Sequence, residues 1–462
     1  MPATSDVVIV GGGPGGYESA LVAAQLGAQV TLVDSDGVGG SAVLTDCVPS
    51  KTLIATAEVM TDVAGAAELG VEISGDPHTT VRVDLARVNA RVKALAADQS
   101  DDIVRRLEKE GVTVLRGRGR LDGPDTVVAM TDGGERRLAA DAVLLATGAV
   151  PRTLPEAQPD GERILTWEQV YELTELPTHL VVVGSGVTGA EFASAYLSLG
   201  AEVTLVSSRD HVLPGEDADA AAVLEEVLTR RGMRVLSRSR MQSVTRDADT
   251  VTVTLTDGRT VQGSHCILAV GSVPNTDGLG LETAGVATDD AGFITVDRVS
   301  RTTARGVYAA GDCTGVLLLA SVAAMQCRIA MWHFLGDAVS PLDLKQVSSN
   351  VFTAPEIATV GWSQRAVDHG EIQVNQVLLP LAGNARAKMQ GVHDGFVKLF
   401  CRPGTGIVVG GVVVAPRASE LIHSVSIAVA ESLTADQLAQ AFTVYPSLSG
   451  SVAEAARRLH RV

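Results

Sequence analysis

Residues Val7–Asp34 read VVIVGGGPGGYESALVAAQLGAQVTLVD, and residues Leu180–Ser207 read LVVVGSGVTGAEFASAYLSLGAEVTLVS. The two stretches align at a constant offset of 173 residues, through a G-x-G-x-x-G and on to the GAxVTLV that closes each. Self-similarity on this scale decides the architecture before any single motif is weighed. Each copy opens on an apolar run of strand type and passes through the glycines into an Ala-rich helical segment. A second apolar run ends the unit. That is a βαβ unit, twice, and it predicts an α/β chain with two parallel-sheet domains.

The glycines carry chemistry because of what they lack. In the first copy Gly11 permits the tight turn, Gly13 lets backbone approach a pyrophosphate, and Gly16 lets the helix pack closely on the strand, with Gly15 in the same loop. The pyrophosphate then meets the helix N-terminus, where free N–H groups and the dipole favour an anion. Asp34 follows Gly16 by 18 residues, where a carboxylate accepts from a ribose hydroxyl. Gly184, Gly186 and Gly189 repeat the pattern, with Val187 opening the second helix. There the acid is replaced by Ser207, followed by Ser208, Arg209 and His211. Losing the carboxylate removes repulsion against a 2′-phosphate, and Arg209 is placed to pair with one or to be an ordinary surface charge. Gly189, by contrast, is more typical of NAD sites. The reading is therefore NADPH with tolerance for NADH.

Farther out, Ala142–Pro151 reads AVLLATGAVP and Cys266–Pro274 reads CILAVGSVP. Each is a buried-type strand running into glycine and a proline-containing turn, as expected of a chain that crosses between two nucleotide domains. In Val307–Asp312, VYAAGD, a strand delivers a carboxylate to a loop. Asp312 there either meets a polyol or caps a helix.

Composition narrows the partners. At 462 residues the chain is too long for one core and implies two to four domains. Aromatics at 3% offer no platform for stacking bases, and a net charge of −17 leaves nothing to displace counterions from phosphates, so nucleic acid is excluded. Met1–Asp6 shows no positive n-region, and no window approaches an apolar membrane span. A cytoplasmic protein without membrane insertion is the expectation. Cys47, Cys266, Cys313, Cys327 and Cys401 lie far apart, with no C-x-x-C and no metal-ligand spacing.

These pieces resemble the flavoprotein disulfide reductases, the family of lipoamide dehydrogenase, glutathione reductase and mercuric reductase. The resemblance covers nearly the whole chain. It runs through GGGPGGY at 11–17, GG…CVPSK at 39–51, ATG at 146–148, GSGVTGAE at 184–191 and AAGDC at 309–313. VFTAPEIATVG at 351–361 and NARA at 384–387 continue it, and VYPSLSGSVAEAA at 444–456 looks like the family's dimer-interface segment. The resemblance implies two Rossmann-like domains, for FAD and NAD(P), and a C-terminal α+β dimerisation domain. Its boundaries would be 1–151 and 275–345 for the FAD domain, 152–274 for the NAD(P) domain and 346–462 for dimerisation. In the family's terms the first fingerprint and Asp34 hold the ADP half of FAD. Gly40, Ser41, Gly119, Thr147, Gly148 and Ala320 lie along the cofactor, and Asp312 holds its ribityl chain. Lys51 sits beside flavin N5, paired with Glu191, because a buried lysine needs a partner to stay charged. The second fingerprint, with Ser207, Ser208, Arg209 and Gly271, brings NADPH or NADH to the flavin, in a homodimer.

Two departures from the family decide the expected function. The redox centre is Cys-x4-Cys before PSK, whereas here Ala42 stands in the first position and only Cys47 remains. One sulfur makes no bridge, so dithiol–disulfide exchange through this site is excluded. The family's terminal His-Pro pair, whose His is the base, reads Tyr445-Pro446, and its orienting Glu is Gly450. A phenol loses its proton only well above neutral pH and is a poor base for a thiol. A mercuric reductase also fails, since the chain closes on Arg461-Val462 with no cysteine pair. What survives is hydride transfer from NAD(P)H to flavin and on to an acceptor that needs no thiol, with a quinone as the first expectation. Tyr445 either donates to the quinone oxygen or packs an interface. Cys47 either contacts the flavin, cycles through a sulfenic acid, or simply packs. The alternatives are a soluble NAD(P)+ transhydrogenase and a non-catalytic FAD protein that senses nicotinamide redox state.

Overall fold

The computed structural model describes residues 4–74 and 80–460. Met1–Ala3, part of the expected leaderless start, and Arg461 and Val462, part of the expected cysteine-free end, lie outside them. The chain forms two compact units, changing from one to the other at Ser50/Lys51, Asn89/Ala90, Arg152/Thr153, Val270/Gly271 and Asp343/Leu344.

The first unit is built on a seven-stranded sheet. Strand β1 (Asp6–Val10) lies between β2 (Gln29–Asp34) and β6 (Ala142–Leu145), all parallel, with β3 (Thr113–Leu121) beyond β2 and β17 (Val307–Ala309) beyond β6. β4 (Thr126–Thr131) and β5 (Gly134–Ala139) extend the edge antiparallel. The runs VVIV and AVLL are continuous rather than alternating because both faces are covered. Helices Pro14–Gln25 and Ala320–Phe334 cover one face through Ala20, Leu21, Cys327 and Met331, and Leu121, Val127, Leu279 and Ile294 cover the other. β1 connects outward to β2 on one side and neighbours β6 on the other, so a crevice opens at their carboxyl ends, where such sheets bind ligands. The two echoing turns meet as an antiparallel ribbon, β7 (Ala149–Pro151) with β16 (Ser272–Pro274).

The second unit contains two sheets that matter for function. β9 (His179–Val183) pairs in parallel with β10 (Glu202–Val206) and β15 (His265–Leu268), flanked by β11 (Arg234–Leu236) and β8 (Ile164–Thr166). A smaller antiparallel sheet of β12 (Met241–Asp247), β13 (Thr250–Leu255) and β14 (Thr260–Gly263) packs Val244, Val251 and Val253 against Val181 and Val183. The C-terminal part is an antiparallel sheet of β18 (Ser348–Val351), β19 (Glu356–Gly361), β20 (Asn375–Pro380), β21 (Phe396–Cys401) and β22 (Val408–Ala415), in the order β18-β19-β22-β21-β20. Helices Ala418–Ala430 and Gly450–Leu459 bury Ile422, Val425, Val452 and Ala455 against it. The architecture is the expected one: two nucleotide-type α/β modules and a C-terminal α+β domain.

The largest departure from the expected boundaries concerns residues 51–89. The sequence reading keeps 51–89 with residues 1–151, but this stretch groups with the second unit. Its polar side chains find their partners there: Thr61 Oγ1 donates to Ser198 Oγ at 3.1 Å, and Asn89 Nδ2 to the Leu173 carbonyl at 2.7 Å.

Candidate functional site

The first cradle is shaped by sterics. Gly11 has φ +103°, and a Cβ there would stand 2.2 Å from the Ala146 carbonyl oxygen. A Cβ on Gly16 would fall 1.8 Å from the Gly11 oxygen, so helix and turn close on each other only through glycine. Gly13 is different: its nearest neighbour would be 3.9 Å away, at Gly40, which leaves its outer side open to an approaching ligand. The helix that starts at Pro14 has no side-chain cap and no acid in its first turn, so its amino end keeps its field for an anion. Gly15 and Gly119 are explained by packing. Gly15 abuts Ala146 and Ala310, and a Cβ on Gly119 would reach Val10 at 2.9 Å.

Asp34, Gly40 and Thr147 lie beside that turn. Asp34 accepts from the Gly12 and Gly37 amides, each at 2.6 Å, and from Asp36 at 3.0 Å. Gly40, at φ +55°, follows directly, and Ser41 exchanges a hydrogen bond with Thr45 at 3.0 Å. Thr147 and Gly148 are clasped by Asn275: Thr147 Oγ1 donates to the Asn275 carbonyl at 2.7 Å and Asn275 Nδ2 returns a bond at 3.1 Å. Asp312 follows β17 in a short 3-10 turn. Burial, reinforced by the charge of Asp46, pushes its carboxyl up to about 6. Among the described residues no donor is paired with it, so it is not spent on a helix cap. A half-buried carboxylate without a donor is a site for hydroxyl groups, as a polyol supplies. Gln326 holds the loop by accepting from Gly311 N at 2.9 Å. Helix 320–334 begins at Ala320 with no side-chain cap.

Asn275, Gln326 and Asp46 escaped the sequence reading. Only Gln326 left a signal, as a polar residue inside the apolar run VAAMQCRIAM.

The thiol side is equally plain. Cys47 opens helix Cys47–Gly65 and forms no disulfide; Ala42 lies in the preceding short helix Gly40–Leu44. Cys266, Cys313, Cys327 and Cys401 are buried, and burial raises the thiol pKa of Cys266, Cys313 and Cys327.

The second cradle repeats the first. Gly184 has φ +113°, with the Ala269 oxygen 2.1 Å from a would-be Cβ, and Gly189 would clash with the Gly184 oxygen at 1.9 Å. Gly186 faces open space and Val187 is exposed; Gly271, at φ +95°, belongs to the first unit. Ser208 and Arg209 are exposed after β10. Ser207 is wholly buried, its hydroxyl 2.7 Å from that of Ser185 and accepting from Arg209 N at 3.1 Å. A strand-end side chain this short folds back into the turn instead of reaching outward.

On the helix Val187–Leu199 that opens this cradle, Glu191 is 4% exposed. Its Oε2 accepts from Lys51 Nζ at 2.9 Å and its Oε1 from Phe352 N at 2.9 Å. The Lys51 ammonium also lies 4.8 Å from the centre of the Phe352 ring. Both carboxylate oxygens are thus used, one to hold a cation and one to fix the carboxylate itself.

Tyr445 projects from the loop before helix 450–459, 86% exposed beside exposed Phe442 and Val444. Asn384 ties this loop down, donating to the Ser447 carbonyl at 3.0 Å and to Ser451 Oγ at 2.8 Å. Gly450, without a side chain, leaves a cavity of about 110 Å³ edged by Thr443, Tyr445 and Ser447. Among the described residues no helix is long and apolar enough to cross a membrane.

With these cradles in view, comparison with known proteins defines the class. Residues 5–327 match the pyridine nucleotide-disulphide oxidoreductase family and residues 347–456 its dimerisation domain. The chain belongs to this family of flavoprotein oxidoreductases, whose cofactors are FAD and NAD(P)H. It is 56% identical to an NAD(P)H dehydrogenase (quinone) of Mycobacterium tuberculosis, over 98% of this chain and 93% of that one. The crystal structure of LpdA from Mycobacterium tuberculosis superposes with a TM-score of 0.94 at 55% identity, covering 99% of this chain and all of the other. A dihydrolipoyl dehydrogenase of Zymomonas mobilis is 34% identical over 97% of this chain and 96% of its own.

Proposed function

We propose that the chain is an NAD(P)H:quinone oxidoreductase that works without thiols. One observation carries the reading: both nucleotide cradles are built, while Ala42, Tyr445 and Gly450 stand where dithiol chemistry needs a cysteine, a base and an orienting acid. Bound FAD would supply acceptance of a hydride and its release, in one or two steps, to a flat acceptor. The chain's own part is binding and electrostatics. The first fingerprint offers its amino end to the pyrophosphate, and Asp312 offers its carboxylate to hydroxyls. Lys51, held by its ion pair with Glu191, presents a fixed cation that favours the electron-rich form of a group placed against it. Tyr445, supplied across a homodimer, donates its O–H to the acceptor's oxygen as negative charge develops there. The M. tuberculosis relative named for quinone supports the acceptor class.

The test is NADPH oxidation by the FAD-loaded protein with a soluble naphthoquinone as sole acceptor. Turnover with naphthoquinone and none with lipoamide is expected, with Tyr445→Phe lowering kcat at least about tenfold. A flavin that NADPH bleaches but naphthoquinone does not reoxidise refutes the acceptor, and an unchanged Tyr445→Phe rate refutes the tyrosine's role.

A further inference from the structure

The two repeats part company where an adenosine ribose would be read. Strand β10 lies between β9 and β11, all parallel, so the loops that leave β10 and β11 stand side by side at one edge of the sheet. Backbone bonds lock these loops together. Ser207 N donates to the Leu236 carbonyl at 2.9 Å, Ser239 N to the Ser207 carbonyl at 2.7 Å, and Arg238 N to the Arg209 carbonyl at 2.8 Å. Leu213 N donates to the Ser185 carbonyl at 2.8 Å, which ties the first loop back to the fingerprint turn. Position 207 matches Asp34 of the first repeat, yet Ser207 is wholly buried and presents no charge.

The charge at this edge has the opposite sign. Ser208, Arg209 and Arg238 are exposed, and among the described residues no hydrogen bond or ion pair engages the Arg209 guanidinium. Arg238 donates through Nε, to Asp210 Oδ1 at 2.5 Å, and among the described residues its two terminal nitrogens have no partner. A guanidinium fixed at Nε keeps its terminal fork for a second acceptor. Arg238 also holds φ +51°, a backbone that suits glycine or asparagine better than a long cationic residue. Two arginines locked side by side repel each other, and Asp210 offsets only one of them. A phosphate dianion carries acceptors enough for both.

We propose that Arg238, delivered by the loop after β11, is the second arm of a two-arginine clamp that closes with Arg209 on the 2′-phosphate of NADPH. The fingerprint spacing that points to Arg209 does not reach Arg238; the pairing of β10 with β11 does. Asp210 positions Arg238 by its bond to Nε. The proposal rests on the second repeat holding NAD(P)H and is independent of the acceptor.

The test isolates what the 2′-phosphate adds. Dissociation constants for NADPH, NADH and adenosine 2′,5′-bisphosphate are measured calorimetrically on the full-length FAD-loaded protein, with Tm recorded for each variant. The bisphosphate carries the 2′-phosphate without the nicotinamide. Wild type is expected to bind NADPH more tightly than NADH. Arg238→Gln and Arg209→Gln should each weaken NADPH and the bisphosphate about tenfold or more, with NADH within about twofold and Tm unchanged. Arg234→Gln removes the same charge from the opposite end of β11 and should leave all three constants unaltered.

An Arg238→Gln protein with the wild-type NADPH:NADH ratio overturns the proposal. So does an equal loss for both nucleotides, which would mark Arg238 as a support for the loop alone. An Arg234→Gln effect as large as that of Arg238→Gln also overturns it, since charge would then act at a distance. A wild type that prefers NADH does the same. A wild type that binds neither nucleotide overturns the proposal together with the reading of the second cradle. Quinone reduction is read separately by turnover, and its failure would not alter these constants.

Discussion

Asp312 shows how much a single side chain can hold in reserve. An aspartate in an unfolded chain titrates near pH 4, whereas burial and Asp46 lift the folded group to about 6. Between those values the folded state retains a proton that the unfolded state has lost. Stability of the flavin-free protein should therefore fall as pH rises from about 4 to about 6 and stay lower above. Asp312→Asn removes this dependence and is expected to raise stability at pH 7 by on the order of 2 kcal/mol, while weakening FAD retention. Urea unfolding of stripped protein between pH 4.5 and 7.5 reads the first effect, and flavin content after desalting the second. Equal slopes for both proteins would remove Asp312 as the source. The same group that costs the empty fold stability is thus the one suited to a polyol. Glu191 is the opposite case, since its two oxygens are already engaged by Lys51 and Phe352 N.

Glycines within one fingerprint are alike in sequence and unlike in what they do. Gly189 sits where a Cβ would press 1.9 Å from the Gly184 oxygen, so it joins helix to strand. Gly186 meets nothing within 4 Å, so its missing side chain serves whatever approaches from outside. Gly189→Ala should destabilise by about 1–3 kcal/mol, the range for overpacking. Gly186→Ala should leave the unfolding midpoint within experimental error and weaken NADPH binding by about tenfold or more, since a methyl now stands in the path of the pyrophosphate. Equal midpoints for the two variants would contradict this division of labour. The spacing G-x-G-x-x-G was legible at once. Which glycine packs and which stays open follows only from where β15 (His265–Leu268) and Ala269 run beneath the turn.

Across the second unit, a buried ion cluster joins the nucleotide module to the C-terminal sheet. Lys398 on β21 is 2% exposed, and its Nζ donates to both oxygens of Asp217 at 3.0 and 2.8 Å and to Asp219 at 2.6 Å. Asp217 also caps the helix Ala218–Arg230, accepting from Asp219 N and Ala220 N. Lys398→Met leaves a buried carboxylate uncompensated, and a loss of about 3–5 kcal/mol is expected in urea unfolding. Adding Asp217→Asn should recover part of it, because the stranded charge is gone. A Lys398→Met protein as stable as wild type would show that water reaches Asp217 after all. Nothing in the local sequence marks this cluster: Lys398 lies 181 residues from Asp217.

The amino-acid sequence by itself determined the doubled βαβ plan, the C-terminal α+β domain and the loss of the thiol pair. These rest on short-range facts: periodicity, glycine spacing and the identity of the residue at 42. Tertiary structure decided the rest. It turned Ser207 inward onto Ser185, closed Asn275 over Thr147, placed Lys51 on Glu191 and assigned 51–89 to the second unit. The physical reason is that a strand-end or loop side chain has several local conformations of similar energy. Partners from 22 to 140 residues away, brought near by sheet order, select among them.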